Sequence, residues 1–403
     1  MKKILLLLLF IYALNANVLQ EAIDKAPSGS TLKLYSGVYS GNITINKPLN
    51  IIGVEADVVI DGGGVGNVVD IKSSNVTLNN LTIQNSGPLM YSLDSGIKIE
   101  KAKNINIINC KILDSLYGLN IYMMQDSTIK ENFISSKDYD IGLRGDALKI
   151  WHSHNNLISH NTITKTRDIT INQSHNNIFT NNNITNSRFA LNVAHSNHNL
   201  IEKNSFRYNS VSLMMMMSED SKIINNSILS SNGAAGIGVI LQGGSTVFDS
   251  NTLRYNAKAI YIDSNPNEQE IKRFITNNDI SYNKEAMGFH MTIRQNKIAN
   301  NIFEGNIDDI VKGTAGYKTM LNEVEYNYWD RYAGFDKNRD NIGDNSFLIY
   351  QYADRLWHYN NKVKFFYGSP IMSMLNFLAQ VAPFIEPTLL LEDSKPLVEK
   401  LED

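Results

Sequence analysis

TNNNITN at 180–186, EKNSFRY at 202–208 and INNSILS at 224–230 share one pattern: an asparagine, one free position, then an apolar residue. KENFISS (130–136), SHNTITK (159–165), DSNTLRY (249–255), TNNDISY (276–282), IANNIFE (298–304) and EYNYWDR (325–331) extend it. Alignment puts Asn132, Asn161, Asn182, Asn204, Asn226, Asn251, Asn278, Asn300 and Asn327 in one column, at steps of 21 to 29 residues. Cys110 and Leu81 take the same place in two earlier copies, which makes Cys110 a small buried residue of the column. Between these fragments runs a second recurring segment: GLNIYMM (118–124), ALKIWHS (147–153), DITINQS (168–174), ALNVAHS (190–196) and SLMMMMS (212–218). Its apolar residues alternate, which is the period of a strand.

A unit of this size cannot bury its own apolar face, whereas stacked copies can. The Leu-x-x-Leu-x-Leu signature of leucine-rich repeats is absent. The fold expected is therefore all-β: a right-handed parallel β-helix, a pectin-lyase-like solenoid with one coil per repeat. Stacked coils bring equivalent residues to about 4.8 Å. Asparagine tolerates a left-handed turn and carries both a donor and an acceptor, so a column of them can hydrogen-bond along the stack.

The ends differ from the middle. Lys2, Lys3 and the apolar run 4–14 have the form of a secretory signal peptide, assigned to residues 1–16. VLQEAIDKA (18–26) predicts a short amphipathic helix covering the first coil of a β-helix over 17–330. Residues 331–367 form an irregular, aromatic-rich extension. In 368–403, Ser369-Pro370 predicts a helix start, with Ile371, Met374, Leu375 and Leu378 at helical spacing before a trailing tail. The single cysteine rules out an intrachain disulfide, and an exported chain without one suits a bacterial periplasm. A net charge of −3 gives no support for a nucleic-acid partner.

SLMMMMS spends four of the 13 methionines on one strand. Strand register splits them. Met215 points inward, Met214 and Met216 outward, and Met217 falls at the strand end. Met123, His152, Gln173, His195 and Met217 occupy that end position in successive repeats, which predicts that His195 and Met217 stack. Thioether and imidazole together suit a soft ion, with Cu(I) as the leading candidate, bound transiently in the absence of thiolate. His195, Met217, His152, Met216 and Met214 are the candidate ligands. His154 and His175 read as turn residues, and His290 as an outlier on an outward strand position.

Several stretches resemble the NosD family: VIDGGGVGNVVDI (59–71), LTIQNSG (81–87), RGDALKIWHS (144–153), NYWDRYAGFDKNRDNIGD (327–344) and GSPIMSMLNF (368–377). The resemblance implies a non-enzymatic periplasmic subunit of an ABC-type complex, peripheral to the inner membrane, that helps supply copper to nitrous oxide reductase. It implies as partners a membrane permease, a cytoplasmic ATPase, a copper-chaperone lipoprotein and apo nitrous oxide reductase. Pro370, Ile371, Met374, Leu375 and Leu378 are then the candidate docking residues. Asp336, Asn338, Asp340 and Asp344 outline a weak calcium loop, in which Asn341 replaces the usual glycine and Phe347 the usual glutamate. The alternatives are a polysaccharide lyase or epimerase and a protein-binding scaffold. A lyase or epimerase needs clustered carboxylates, and the outward strand positions carry no pair; Asp138, Asp140 and Asp146 lie in a loop read as solvated.

Overall fold

Each coil consists of short strands whose inward residues are Ile, Leu, Val or Phe, closed by corners where one residue turns left-handed. A computed structural model describes residues 17–233, 235–263, 270, 272–313, 321–351, 361–366, 369–381 and 388–400. The expected signal peptide, 1–16, lies outside the described residues. The chain divides into two compact units, Met1–Asn183 and Ile184–Asp403.

In the first unit, three parallel sheets run side by side. One spans the strands from Thr31–Leu34 to Ile178–Thr180, the second those from Gly37–Ser40 to Thr162–Thr164, and the third those from Ile43–Ile45 to Asp168–Asn172. Register keeps like over like: Leu148 pairs with Ile169 and Ile150 with Ile171. The helix Val18–Lys25 covers the open start and buries Leu19 and Ile23. Asn17 caps it, accepting from the Gln20 N–H at 3.1 Å. Gln20 also stands in for a missing strand. Its amide accepts from Thr44 N at 2.7 Å and donates to Thr44 O at 3.2 Å, so the sheet edge is satisfied. Close stacking excludes side chains at some corners. A Cβ on Gly53 would lie 2.1 Å from the Asn80 carbonyl oxygen.

The second unit repeats the plan, with sheets from Leu200–Glu202 to Glu323–Glu325, from Ser205–Arg207 to Tyr328–Trp329 and from Phe189–Ala194 to Asp308–Lys312. All-β parallel β-helix architecture is thus what the chain adopts.

The asparagine column is a hydrogen-bonded ladder. In the second unit, Asn226 donates its backbone N–H and its Nδ2 to Asn251 Oδ1 at 2.9 and 3.0 Å. Asn251 does the same to Asn278 at 2.8 and 3.1 Å, and Asn278 to Asn301 at 3.0 and 2.9 Å. In the first unit, Cys110 N donates to Asn132 Oδ1 at 2.9 Å, and Asn132 and Asn161 continue the series. Cys110 is buried, as expected, and burial pushes its thiol up to about 12.

Two sequence-based expectations are corrected here. The ladder member of its coil is Asn301, not Asn300; IANNIFE holds adjacent asparagines, and only Asn301 precedes the apolar Phe303 by two. The ladder asparagines are also not the left-handed residues. The residue before each takes that conformation: Glu131 at φ 59°, His160 at 56°, Asn225 at 56°, Asn277 at 56° and Asn300 at 57°. One residue makes the corner, and the next turns its amide inward to bind along the stack.

The C-terminal segment ends the ladder. Thr388–Asp393, expected as part of a tail, forms a strand antiparallel to Phe347–Gln351. It brings the fully buried Asp393 against the last coil. Asp393 Oδ2 accepts from Asn327 N at 3.2 Å, Asn327 Nδ2 at 2.9 Å and Trp329 Nε1 at 2.9 Å. Trp329 stacks on Phe303 with centroids 4.0 Å apart. Burial raises the Asp393 carboxyl above the usual range against the opposing pull of these donors. Asp393→Ala would leave two buried donors, Asn327 N and Trp329 Nε1, unpaired, while Asn327 Nδ2 keeps Ile298 O and Glu325 O. It should lower unfolding stability by about 2–3 kcal/mol in urea titrations; an unchanged midpoint would mean that the ladder needs no cap.

Candidate metal site

The strand Phe189–Ala194 pairs with Val211–Met216 so that Asn192 faces Met214 and Ala194 faces Met216. The next residues, His195 and Met217, therefore stand at one corner of successive coils. Both are left-handed, at φ 49° and 46°. His195 N donates to Met216 O at 2.9 Å and Met217 N to Gln242 O at 2.8 Å, which fixes the two Cα atoms in the stack. The spacing of such neighbours is about 4.8 Å. Met217 is 58 % exposed and His195 is exposed, whereas Met215 is buried at 1 %. Met214 and Met216 are half-buried on the adjoining face.

From Lys101 to Met217 this corner carries no asparagine. Many left-handed positions in the chain are asparagine, which accepts that conformation with little penalty. In the first unit this corner carries Lys101, Met123, His152 and Gln173, and in the second His195 and Met217. Histidine accepts this conformation more readily than lysine, methionine or glutamine; the last three each cost on the order of 1 kcal/mol, as do Lys165, Lys203 and Tyr208 at other corners. The following corner residue of the second unit is Gly243, at φ 64°. A Cβ there would make ordinary contact with Met217 Cγ at 3.8 Å.

The ring nitrogens sort the histidines. Among the described residues, no hydrogen bond is made to the His195 ring. His154 Nδ1 accepts from His175 N at 3.0 Å, which places its proton on Nε2 and removes both nitrogens as ligands. The two rings stack at 5.1 Å, in keeping with a turn role. His152 lies in the first unit, edge-on to Tyr122 at 5.6 Å. His290 stands just past the strand Glu285–Phe289 rather than on it, and its Nδ1 lies 2.8 Å from the Tyr261 hydroxyl. Beside Met214, Asn192 Oδ1 is buried with no hydrogen-bond partner among the described residues. No group of three or more His, Cys, Asp or Glu converges among the described residues. Any ion at this face would thus draw on thioether sulfur.

Asp336, Asn338, Asp340 and Asp344 hold a turn. Asp336 accepts from the backbone of Arg339 at 2.6 Å and of Asn341 at 2.8 Å, Asp340 from Ile342 N at 2.9 Å, and Asp344 from Lys337 N at 3.1 Å. The helix Pro370–Val381 forms with Ser369 as cap, its Oγ accepting from Met372 N at 3.3 Å. Pro370, Ile371, Met374, Leu375 and Leu378 are all exposed, and so are Phe377 and Val381, which spacing did not single out.

The loop reading of Asp146 is overturned, while Asp138 and Asp140 are exposed. Asp146 is 4 % exposed and accepts from Arg167 Nη2 at 2.9 Å and Thr170 Oγ1 at 3.0 Å. Arg167 Nε lies 3.4 Å from the equally buried Asp168. Sequence inspection missed this group because Asp146 comes from the coil before that of Arg167 and Asp168. Burial raises the Asp146 carboxyl, helped by the Asp168 charge and opposed by Arg167. Burial likewise lowers Lys149. Both Asp146 oxygens are occupied, which leaves no free base. A raised pKa means that stability is lost as pH rises through it. Arg167→Ala should therefore cost about 3 kcal/mol near pH 8 and distinctly less near pH 5, read from melting temperature; an equal loss at both would contradict the charge assignment.

Comparison with known proteins adds a family likeness. The family model described as "Periplasmic copper-binding protein (NosD)" matches residues 141–334. A Pseudomonas aeruginosa protein named "Probable ABC transporter binding protein NosD" is 25% identical over 414 residues, covering 98% of this chain and 94% of that one. A Stutzerimonas stutzeri protein of the same name is 28% identical over 160 residues, 39% of this chain and 35% of that one. Among solved structures, the A-module of a mannuronan C-5 epimerase from Azotobacter vinelandii superposes with a TM-score of 0.57 at 14% identity, covering 77% of this chain and 93% of that one. A mannuronic acid specific family 6 lyase from human gut microbiota gives 0.52 at 15%, covering 77% and 84%. These two share the fold alone. The resemblance to the NosD family is borne out.

Proposed function

We propose that this NosD-type chain is a non-enzymatic, periplasmic copper-handling subunit of an ABC-type complex, and that the corner formed by His195 and Met217 receives the ion. The observation that carries this is the placement of His195 and Met217 at the same exposed corner of consecutive coils, with Met214 and Met216 on the next face. Sulfur and imidazole select Cu(I) over hard cations. Without thiolate, and with Met217 exposed, the ion is held at the surface and can be passed on. His152, in the first unit, is a further candidate of the same type. In this account copper arrives from a chaperone lipoprotein and leaves for apo nitrous oxide reductase. The permease and its ATPase hold the protein at the inner membrane, with the C-terminal helix as the docking element. The family description and the relatives' names support copper binding and an ABC-type assembly.

The polysaccharide-active alternative finds less support. Asp146 and Asp168, two neighbouring buried carboxylates, are committed to Arg167.

Two experiments follow. Titration of Cu(I) against a chelator of known affinity should give one ion per chain. The double variant His195→Ala/Met217→Ala should weaken binding by about tenfold or more, as loss of two ligands requires; unchanged affinity would remove this site. Docking is better tested by substitution than by truncation, since removing 369–403 would also remove Asp393 and uncap the ladder. Met374→Asp/Leu378→Asp should abolish co-purification with the membrane complex at unchanged melting temperature; retained co-purification would rule the helix out as anchor.

A further inference from the structure

The helix Pro370–Val381 carries no charged residue. Met372 is buried, at 3 % exposure. At about 100° per residue, Phe377, Val381, Met374, Leu378, Ile371 and Leu375 fall on the opposite side. All six are exposed. Together they form one apolar face covering about 160° of the helix, a width typical of a face that is buried in use. Nothing among the described residues covers it. Phe365 and Phe366, in the turn Asn361–Phe366, are also exposed, Phe365 at 88 %.

Charge decides what such a face meets. From residue 355 to residue 385 the chain has no aspartate or glutamate, yet it carries Arg355, Lys362 and Lys364. The same stretch holds Trp357, Tyr359, Phe365, Phe366, Tyr367, Phe377 and Phe384. The protein as a whole is acidic, with a net charge of −3. Basic residues and aromatic rings around an uncharged apolar helix are what the boundary between lipid headgroups and acyl chains selects. A protein-binding surface tends instead to be poor in lysine. Among the described residues no helix is long and apolar enough to cross a membrane. The helix, about 18 Å long, can lie in the surface but not span it.

We infer that Pro370–Val381 and the phenylalanines before it bind an anionic lipid surface directly, before and independently of the contact this helix makes with the permease. This rests on the reading of the helix as the membrane-side element and names the chemistry it meets. The anchoring is geometric as well. The strands Phe347–Gln351 and Thr388–Asp393 pair on either side of the segment, so it leaves and returns at one end of the β-helix. Lipid bound there holds that end of the second unit at the bilayer.

The test uses the purified mature protein and protein-free vesicles. With vesicles of phosphatidylcholine and phosphatidylglycerol the protein should co-float. Binding should fall by about tenfold or more on pure phosphatidylcholine, and similarly in Lys362→Glu/Lys364→Glu, as loss of attraction by basic residues requires. Leu375→Glu/Leu378→Glu should abolish flotation while its circular dichroism and melting temperature stay unchanged. If that variant misfolds, raising salt on the wild-type protein gives the same answer, because electrostatic attraction is screened. No flotation with either vesicle would overturn the inference. So would flotation only after the permease is reconstituted, an outcome that leaves the copper-handling role standing. Flotation in a protein that fails to bind copper would sink that role instead.

Discussion

From Asn132 onward an asparagine amide of one coil donates to the asparagine of the next, and the rest of the molecule depends on that repeat. Parallel sheets fix the spacing of coils but tolerate slippage where strands are only three or four residues long. A buried amide column does not tolerate it. One step out of register would leave each amide's donors and acceptor unpaired, at about 1–3 kcal/mol apiece. The ladder therefore sets the register, and the register decides which side chains meet. It also has a direction. Each member donates onward, so its last member, Asn327, needs an acceptor that cannot itself be an asparagine of a further coil. Asp393 fills that need from a segment 66 residues later in the chain.

The proposed function draws on the same geometry. A β-helix corner presents one side chain per coil, and consecutive corners lie close enough for two side chains to share an ion. His195 and Met217 stand in that relation because Ala194 and Met216 are paired. The four methionines of SLMMMMS thus have three fates. Met215 fills the core, Met214 and Met216 form a half-buried outer face, and Met217 gives up the asparagine that would suit its backbone. A buried scaffold held rigid by amides carries a soft, exposed donor set at its edge.

Much of this was legible in the sequence, for physical reasons. The period-2 alternation and the recurring asparagine, without the leucine signature of other repeats of this length, specify stacked strands. The placement of His195 over Met217 follows from counting along those repeats. What stayed hidden involves contacts that counting cannot reach. The pairing of Asp146 with Arg167 and Asp168 joins corners of different coils. The capping by Asp393 comes from a strand with no repeat signature. Adjacent asparagines also misled: Asn300 and Asn301 both fit the pattern, and only the inward amide of Asn301 separates them.

The central claim is that sulfur and imidazole at one corner hold the cargo ion together. X-ray absorption at the copper edge of the Cu(I)-loaded protein tests it most directly. The account predicts a coordination shell containing both sulfur and imidazole scattering, with the sulfur component reduced in Met217→Ala and the imidazole component lost in His195→Ala. A shell of nitrogen and oxygen alone, or one unaltered by either substitution, would contradict it.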